Sequence, residues 1–349
     1  MAGADSVEKL EDVIVRSAEQ LAGNIRAAKE AISTVIFGQE RVVENTLVTI
    51  LSGGHALLIG VPGLAKTKLV ETLGITLGLD AKRIQFTPDL MPSDILGAEV
   101  LDESGTGRRS FRFIAGPVFA QLLMADEINR ASPRTQSALL QAMQEQHITV
   151  AGARHDLPKP FHVLATQNPL EQEGTYPLPE AQLDRFFYKL IVQYSGRDEL
   201  REILNRTTTN QKIDVLPVLD GPKIIAHQNL VKRVVIAPHV QDYAIRCTLA
   251  THPNGIYAIP MTTQFLRVGA SPRAAQAITL ASKVRALLDG RFHVSFKDIK
   301  DVVVPAMRHR VILNFEGEAE GITTDMVLEK IVADVPTTIE GEAPVAAGR

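Results

Sequence analysis

The chain has 349 residues, 45% of them hydrophobic and 22% charged, with a formal net charge of -3. That size leaves room for one large domain and a smaller one, the charge provides no bulk attraction to nucleic acid, and no apolar run is long enough to span a bilayer. Cys247 is the single cysteine, which excludes an intramolecular disulfide and a cysteine-rich metal site, and its apolar neighbours predict a small core residue.

The N-terminus carries Asp5, Glu8, Glu11 and Asp12 and lacks the basic-then-apolar order of a signal peptide, so a cytoplasmic location is expected. Residues 6–33 predict one or two amphipathic helices, with Leu10, Ile14, Leu21, Ile25 and Ile32 near helical spacing. After a break at Val35 to Gln39, a second helix presents Val43, Leu47, Ile50 and Leu51 on one face. A short apolar strand, 55–59, follows.

Directly behind that strand stands Gly60-Val61-Pro62-Gly63-Leu64-Ala65-Lys66-Thr67, and directly ahead lies a helical pattern marked by Leu69, Val70, Leu73 and Leu77. A phosphate-cradling loop belongs at that junction. Small residues let backbone N–H groups turn inward, the lysine reaches the terminal phosphates, and the hydroxyl coordinates Mg²⁺. The helix N-terminus adds its dipole. The general pattern asks for glycine before the lysine, so Ala65 is expected to avoid the left-handed backbone region.

Strand signals recur at 83–87, 121–125, 161–166 and 187–192, with helices such as 133–146 between some of them, which argues a parallel sheet covered by helices. The apolar run to Ala125 ends in Asp126-Glu127, and two carboxylates at such a tip are costly unless a cation or a reaction needs them. In phosphate-loop enzymes the first holds the magnesium shell and the second polarises the attacking water. Ser132-Pro133 supplies an N-cap and a first-position proline for the next helix.

Two insertions with hairpin chemistry interrupt this plan, at 98–114 around the turn Ser104-Gly105-Thr106-Gly107 and at 147–157 around Ala151-Gly152-Ala153. They either touch a neighbouring subunit or substrate, or are surface decoration. Asn168, just past the strand at 161–166, either orients water near the acidic pair or forms a turn before Pro169. Arg185 is either an ion-pair partner of Asp184 or Glu180, or a finger that reaches a neighbouring subunit's γ-phosphate, a role worth about 10³ to 10⁵ in rate.

From Ser195 onward helical patterns dominate to about residue 333, predicting a second, mostly helical domain. There Ser271-Pro272-Arg273 starts a helix, and a first-turn cation opposes the dipole. Arg273 therefore either grips a phosphate or is an exposed charge screened by water. His55, His147 and Arg308-His309-Arg310 lack metal or triad spacing and are expected to be solvated or capping. Residues 336–349 read as a loose tail.

With these motifs in order, the chain resembles the MoxR family of AAA+ ATPases. The resemblance is densest in Gly60 to Thr67, Met124 to Arg130, Ala165 to Pro169 and Glu180 to Phe186. It implies an α/β fold with a P-loop αβα core, a parallel five-stranded sheet and a smaller helical lid. It divides the chain into an N-terminal segment at 1–35, a core at 36–195 and a lid at 196–335.

By the same resemblance, ATP is held by Ile36, Phe37, Gly38, Gly60, Pro62, Gly63, Leu64, Ala65, Lys66, Thr67 and Lys68, and Mg²⁺ by Thr67 and Asp126. Glu127 looks like the residue that activates water, Asn168 and Arg185 like the first sensor and the trans-acting finger, and Arg273 like the second sensor. The family also implies a homo-oligomeric ring, commonly a hexamer, that remodels a protein client or assists metal-cofactor insertion, often beside a von Willebrand factor A domain protein. Membrane insertion and nucleic-acid binding are not expected. The hairpins resemble those of the AAA+ group that includes magnesium chelatase and helicase subunits, so a nucleic-acid-stimulated motor or chelatase-subunit-like ATPase is the alternative.

Overall fold

The computed structural model describes residues 2–103, 109–170, 174–208 and 214–338. The chain forms two compact units, Met1–Val231 and Lys232–Arg349. The predicted turn at 104–107 and the tail residues 339–349 lie outside the described residues. Among the described residues no helix is long and apolar enough to cross a membrane.

The first unit opens with one helix, α1 (Ala2–Ser33), followed by α2 (Glu40–Leu51), β1 (Ala56–Ile59), α3 (Lys66–Thr76) and β2 (Ala81–Gln85). A short helix, α4 (Pro92–Leu96), leads into the first insertion, whose strands are β3 (Gly97–Glu103) and β4 (Arg109–Ala115). Next come β5 (Leu122–Asp126), α5 (Pro133–Glu145), the second hairpin β6 (His147–Val150) and β7 (Ala153–Asp156), then β8 (His162–Gln167), α6 (Glu180–Leu183), β9 (Tyr188–Ile191) and α7 (Arg197–Thr207). The predicted order is present, with strand limits shifted by one or two residues. On β2 the shift has a clear cause, since Ala81 to Gln85 pair with Leu122 to Asp126 before the chain turns away towards Pro88.

Five strands form one sheet in the order β2-β5-β8-β1-β9, every neighbouring pair parallel. From β1 the chain crosses to the far edge at β2, and from β8 it passes β1 to the opposite edge at β9. The ends of β1 and β8 therefore flank the point where strand order reverses, where open α/β sheets place their ligands.

Alternation along each strand sorts the side chains. Leu57, Ile84, Leu123, Ala125, Val163 and Ala165 enter one apolar cluster with Leu139, Leu140 and Met143 of α5. By the two-residue period, Arg83, Gln85, Met124, Asp126, Leu164 and Thr166 belong to the other face. On that face α3 lies so close that a Cβ at Gly74 would stand 2.7 Å from the Cβ of Ala81.

The two insertions are tied together by aromatic side chains. The Phe113 ring of β4 stacks on the imidazole of His155 of β7, with centroids 3.9 Å apart, and meets Phe119 edge-on. A two-residue turn, Ala151-Gly152, closes the second hairpin with both residues at positive φ.

Among the described residues the second unit is mostly helical, with a short antiparallel ribbon, β10 (Leu266–Val268) with β11 (Ile312–Leu313), and an isolated parallel bridge between Val235 and His293. These strands are too short for a period-two signal. Cys247 is fully buried, and burial pushes its thiol up to about 11. Of the two roles expected for Arg308-His309-Arg310, solvated or capping, the structure shows capping: Arg308 is the C-cap of the helix Phe296–Met307 and pairs with Asp325 at 2.8 Å, and His309 and Arg310 are buried. The triplet closes the helix Phe296–Met307 and is structural, not a solvated run.

His55 likewise takes the capping role, at the last turn of α5. It is buried at the entry to β1, where its Nδ1 accepts from the Val163 N–H at 2.9 Å and its Nε2 donates to the Met143 carbonyl at 3.2 Å. Beside it, His162 donates through Nδ1 to the Gly54 carbonyl at 2.9 Å, while its Nε2 accepts from the Gln228 amide at 3.2 Å. Burial, and for His55 also the neighbouring His162, lowers these imidazoles to about 3 and about 4. Both are neutral fasteners between strands.

Candidate functional site

The loop that leaves β1 reaches α3 through two residues in the left-handed region, Gly63 at φ 85° and Ala65 at φ 55°. The expectation for Ala65 is therefore wrong. A methyl occupies a left-handed position, at a conformational cost of about 1–2 kcal/mol, and it directly precedes the first residue of α3. Left-handed turns of this kind aim successive N–H groups into a concavity that suits anions, and the helix N-terminus behind adds its partial positive charge.

Lys66 is the first residue of α3. Its ammonium donates to the carbonyls of Gly60 at 2.5 Å and Val61 at 2.9 Å, folding across the loop. Burial draws its pKa below the ordinary lysine value, while the carboxylates of Asp126 and Glu127 pull it back up. Loop and acidic pair thus share one electrostatic site. Lys68, further along α3, faces Glu71 at 3.8 Å on an exposed surface and only borders it.

Asp126 ends β5 with 8% of its surface exposed. Three donors hold its carboxylate. The Thr166 hydroxyl donates to Oδ1 at 2.5 Å, and Arg83 donates to Oδ2 through Nε at 3.2 Å and Nη2 at 2.6 Å. Thr166 Oγ1 also accepts from the Glu127 N–H at 2.9 Å, fixing the backbone just where Glu127 adopts φ 56°. Glu127 Oε2 accepts from Gln85 at 2.7 Å and Arg130 at 3.1 Å, and Arg83 reaches Gln85 Oε1 at 2.9 Å. A strained non-glycine residue at such a tip is the kind of outlier that clusters at functional sites.

Arg83, Gln85, Thr166 and Arg130 carry this network, and motif reading passed over their roles. A signal for the face alone was present in β2, where Ile84 is the lone apolar residue of Arg83-Ile84-Gln85, so its neighbours must face the other way, and the pairing of β2 with β5 sets them beside Asp126. Thr166 was visible only as part of a quoted motif.

Asn168 is buried, and its Oδ1 accepts from the Leu170 N–H at 3.1 Å. The turn-forming use is thus present, and its amide N–H groups are what it would offer a ligand. Arg185 donates to the Leu140 carbonyl at 3.1 Å, while its Nε is buried without a partner. It lines a cavity of about 330 Å³ with Ser137, Gln141 and Gln182, and neither member of the acidic pair is in that lining. Ile36 is buried, the Phe37 ring lies 4.4 Å under the Arg206 guanidinium, and Gly38 packs on Glu199, so this segment sits beneath α7. Arg273 belongs to the second unit, at the second residue of the helix Pro272–Leu288.

A metal fits this donor set in one form. Among the described residues no group of three or more His, Cys, Asp or Glu could hold an ion unaided. The Thr67 hydroxyl and the Asp126 carboxylate are hard oxygen donors, and Mg²⁺ is usually bound by one or two such groups completed by phosphate oxygens and water.

Residues 55–188 match the ATPase family associated with various cellular activities (AAA), and residues 261–331 match the AAA lid domain. The chain is 40% identical to Chaperone MoxR1 of Mycobacterium tuberculosis, covering 95% of this chain and 88% of that one. The chain belongs to the MoxR family of AAA+ ATPases. Protein MoxR of Paracoccus denitrificans is 27% identical over 86% of this chain and 93% of its own. A crystal structure from Cytophaga hutchinsonii superposes with a TM-score of 0.86 at 38% identity, covering 95% of this chain and 98% of that chain. The α/β core with its parallel five-stranded sheet, followed by a lid, is the fold of this MoxR-family chain.

Proposed function

We propose that this MoxR-family chain hydrolyses ATP to ADP and phosphate with Mg²⁺, and that it acts as a chaperone-like remodeler of a protein client. The observation that carries this reading is the union of Lys66 at the start of α3 with Asp126 and Glu127 in one field, on the α3 face of the sheet. In this reading Lys66 and the loop N–H groups bind the phosphates, and Thr67 and Asp126 supply oxygens to the metal. When bound, Mg²⁺ neutralises charge on the terminal phosphates. Glu127 accepts the proton of the attacking water, and Asn168 orients that water through its amide N–H groups.

Ile36, Phe37 and Gly38 form the adenine side of the pocket, with Gly60, Pro62, Gly63, Leu64, Ala65 and Lys68 completing the loop. The core is taken as 36–195 and the lid as 196–335, with Arg273 as the lid's phosphate sensor. Arg185 serves the nucleotide of a neighbouring copy in a cytoplasmic homo-oligomer, a hexameric ring. Similarity to Chaperone MoxR1 of Mycobacterium tuberculosis supports a chaperone role, and a von Willebrand factor A domain protein is the partner class to test first.

Two variants test the hydrolase reading. Lys66→Ala should abolish binding of a fluorescent ATP analogue, and Glu127→Gln should retain binding while turnover falls by about 10² to 10⁴. Normal turnover in the second variant would refute the role of Glu127. Capture of partners on Glu127→Gln with MgATP should return protein, and recovery of nucleic acid instead would favour the motor alternative.

A further inference from the structure

Both oxygens of Asp126 are already engaged. Oδ1 is held by the buried Thr166 hydroxyl, whose oxygen is itself fixed by the Glu127 N–H, so releasing Oδ1 would strand a buried O–H that cannot turn freely to another acceptor. Oδ2 is held by the Arg83 guanidinium, whose side chain is 50% exposed. Water can solvate a displaced guanidinium at that exposure, whereas the Thr166 hydroxyl is buried and has no such recourse. The two oxygens are therefore unequal, and only the Arg83 side is readily exchangeable.

We infer that Arg83 is a positioning residue that competes with the divalent cation for Asp126, and so sets the Mg²⁺ concentration at which nucleotide is held. This rests on the proposed hydrolase reading. Three features support it. The guanidinium puts two N–H groups on a single oxygen, occupying it more fully than one donor would. Arg83 is fixed on the correct face by the pairing of Gln85 with Asp126 and Arg83 with Met124 in the parallel ladder, so its approach is built into β2. Its positive charge also repels a divalent cation arriving at the same carboxylate. A cation that binds there has to turn the guanidinium outward.

The consequence runs against the intuition that removing an ordered cation from an active site impairs it. Arg83→Gln keeps a polar side chain on the exposed face of β2 and removes the charge. Its half-maximal Mg²⁺ concentration for binding a fluorescent ATP analogue should fall about fivefold, the scale set by a half-exposed ion pair. Affinity measured in EDTA should be unchanged or weaker, because no competitor is removed there and a favourable charge is lost. Arg83→Lys keeps the charge with a single donor group and should shift about twofold in the same direction. It also supplies the reading should Arg83→Gln fail to fold by circular dichroism.

An unchanged or higher Mg²⁺ requirement in the folded variants would overturn the inference, because Arg83 would then be orienting Asp126 for the metal. That result leaves the hydrolase reading intact, provided the unsubstituted chain binds the analogue. An unsubstituted chain with no affinity at any Mg²⁺ concentration would overturn both.

Discussion

The two ends of the same parallel sheet carry buried polar networks of opposite character. At the amino ends of β1 and β8, His55 and His162 are neutral, and both nitrogens of each ring are satisfied by backbone or by Gln228. At the carboxyl ends, Lys66, Arg83, Asp126, Glu127 and Arg130 are charged, and two backbone positions, Ala65 and Glu127, are strained. Burial of polar groups is tolerable at either end because each finds a partner. Of these two ends, charge and strain occur together at the one where a charged ligand is proposed to enter.

The sharpest test of this contrast is to damage each end and compare. His55→Leu strands the Val163 N–H and the Met143 carbonyl, and should lower the unfolding free energy by about 2–5 kcal/mol in urea titration. Glu127→Gln, at the other end, should stay within about 1 kcal/mol of the unsubstituted chain. Equal losses would erase the distinction.

Acid should expose the same asymmetry. His55 and His162 have folded pKa values of about 3 and about 4, depressed from 6.5, so below pH 6.5 the unfolded chain takes up protons that the folded chain refuses. Stability is therefore full above about pH 6.5 and declines as pH falls towards the folded values, by up to about 1.4 kcal/mol per pH unit for each histidine. Urea midpoints at pH 7, 6 and 5 report the slope, and His162→Gln should flatten it. A slope unaltered by that substitution would assign acid sensitivity elsewhere.

The smallest effect concerns the phosphate loop. Ala65→Gly relieves about 1–2 kcal/mol of left-handed strain but adds about 0.4–1 kcal/mol of unfolded-chain entropy, so the melting temperature should stay level or rise slightly. Ala65→Val, β-branched at φ 55°, should lower it clearly. A rise with valine would mean that the loop does not hold this conformation.

Much of the fold was legible because its signals are local. The strand, loop and helix around Gly60 to Thr67 and the buried strand ending at Asp126 each announce themselves within about ten residues. Arg83 was not legible as a partner of Asp126, because the contact depends on β2 lying beside β5, a pairing that spans 43 positions. The choice between a solvated and a capping His55 stayed open for a related reason, since its two backbone partners, Met143 and Val163, come from α5 and β8. Ala65 shows a third limit, that residue type argues against a left-handed backbone without excluding one.

The stacked Phe113 and His155 couple two ribbons that would be marginal alone, since a single two-stranded hairpin is seldom stable in water. Each ribbon thereby serves as the other's seat. Trimming either one should loosen its companion, although Ile148 and Leu157 still root the second ribbon in the main apolar cluster, and a push on one arm is felt at the root of the other.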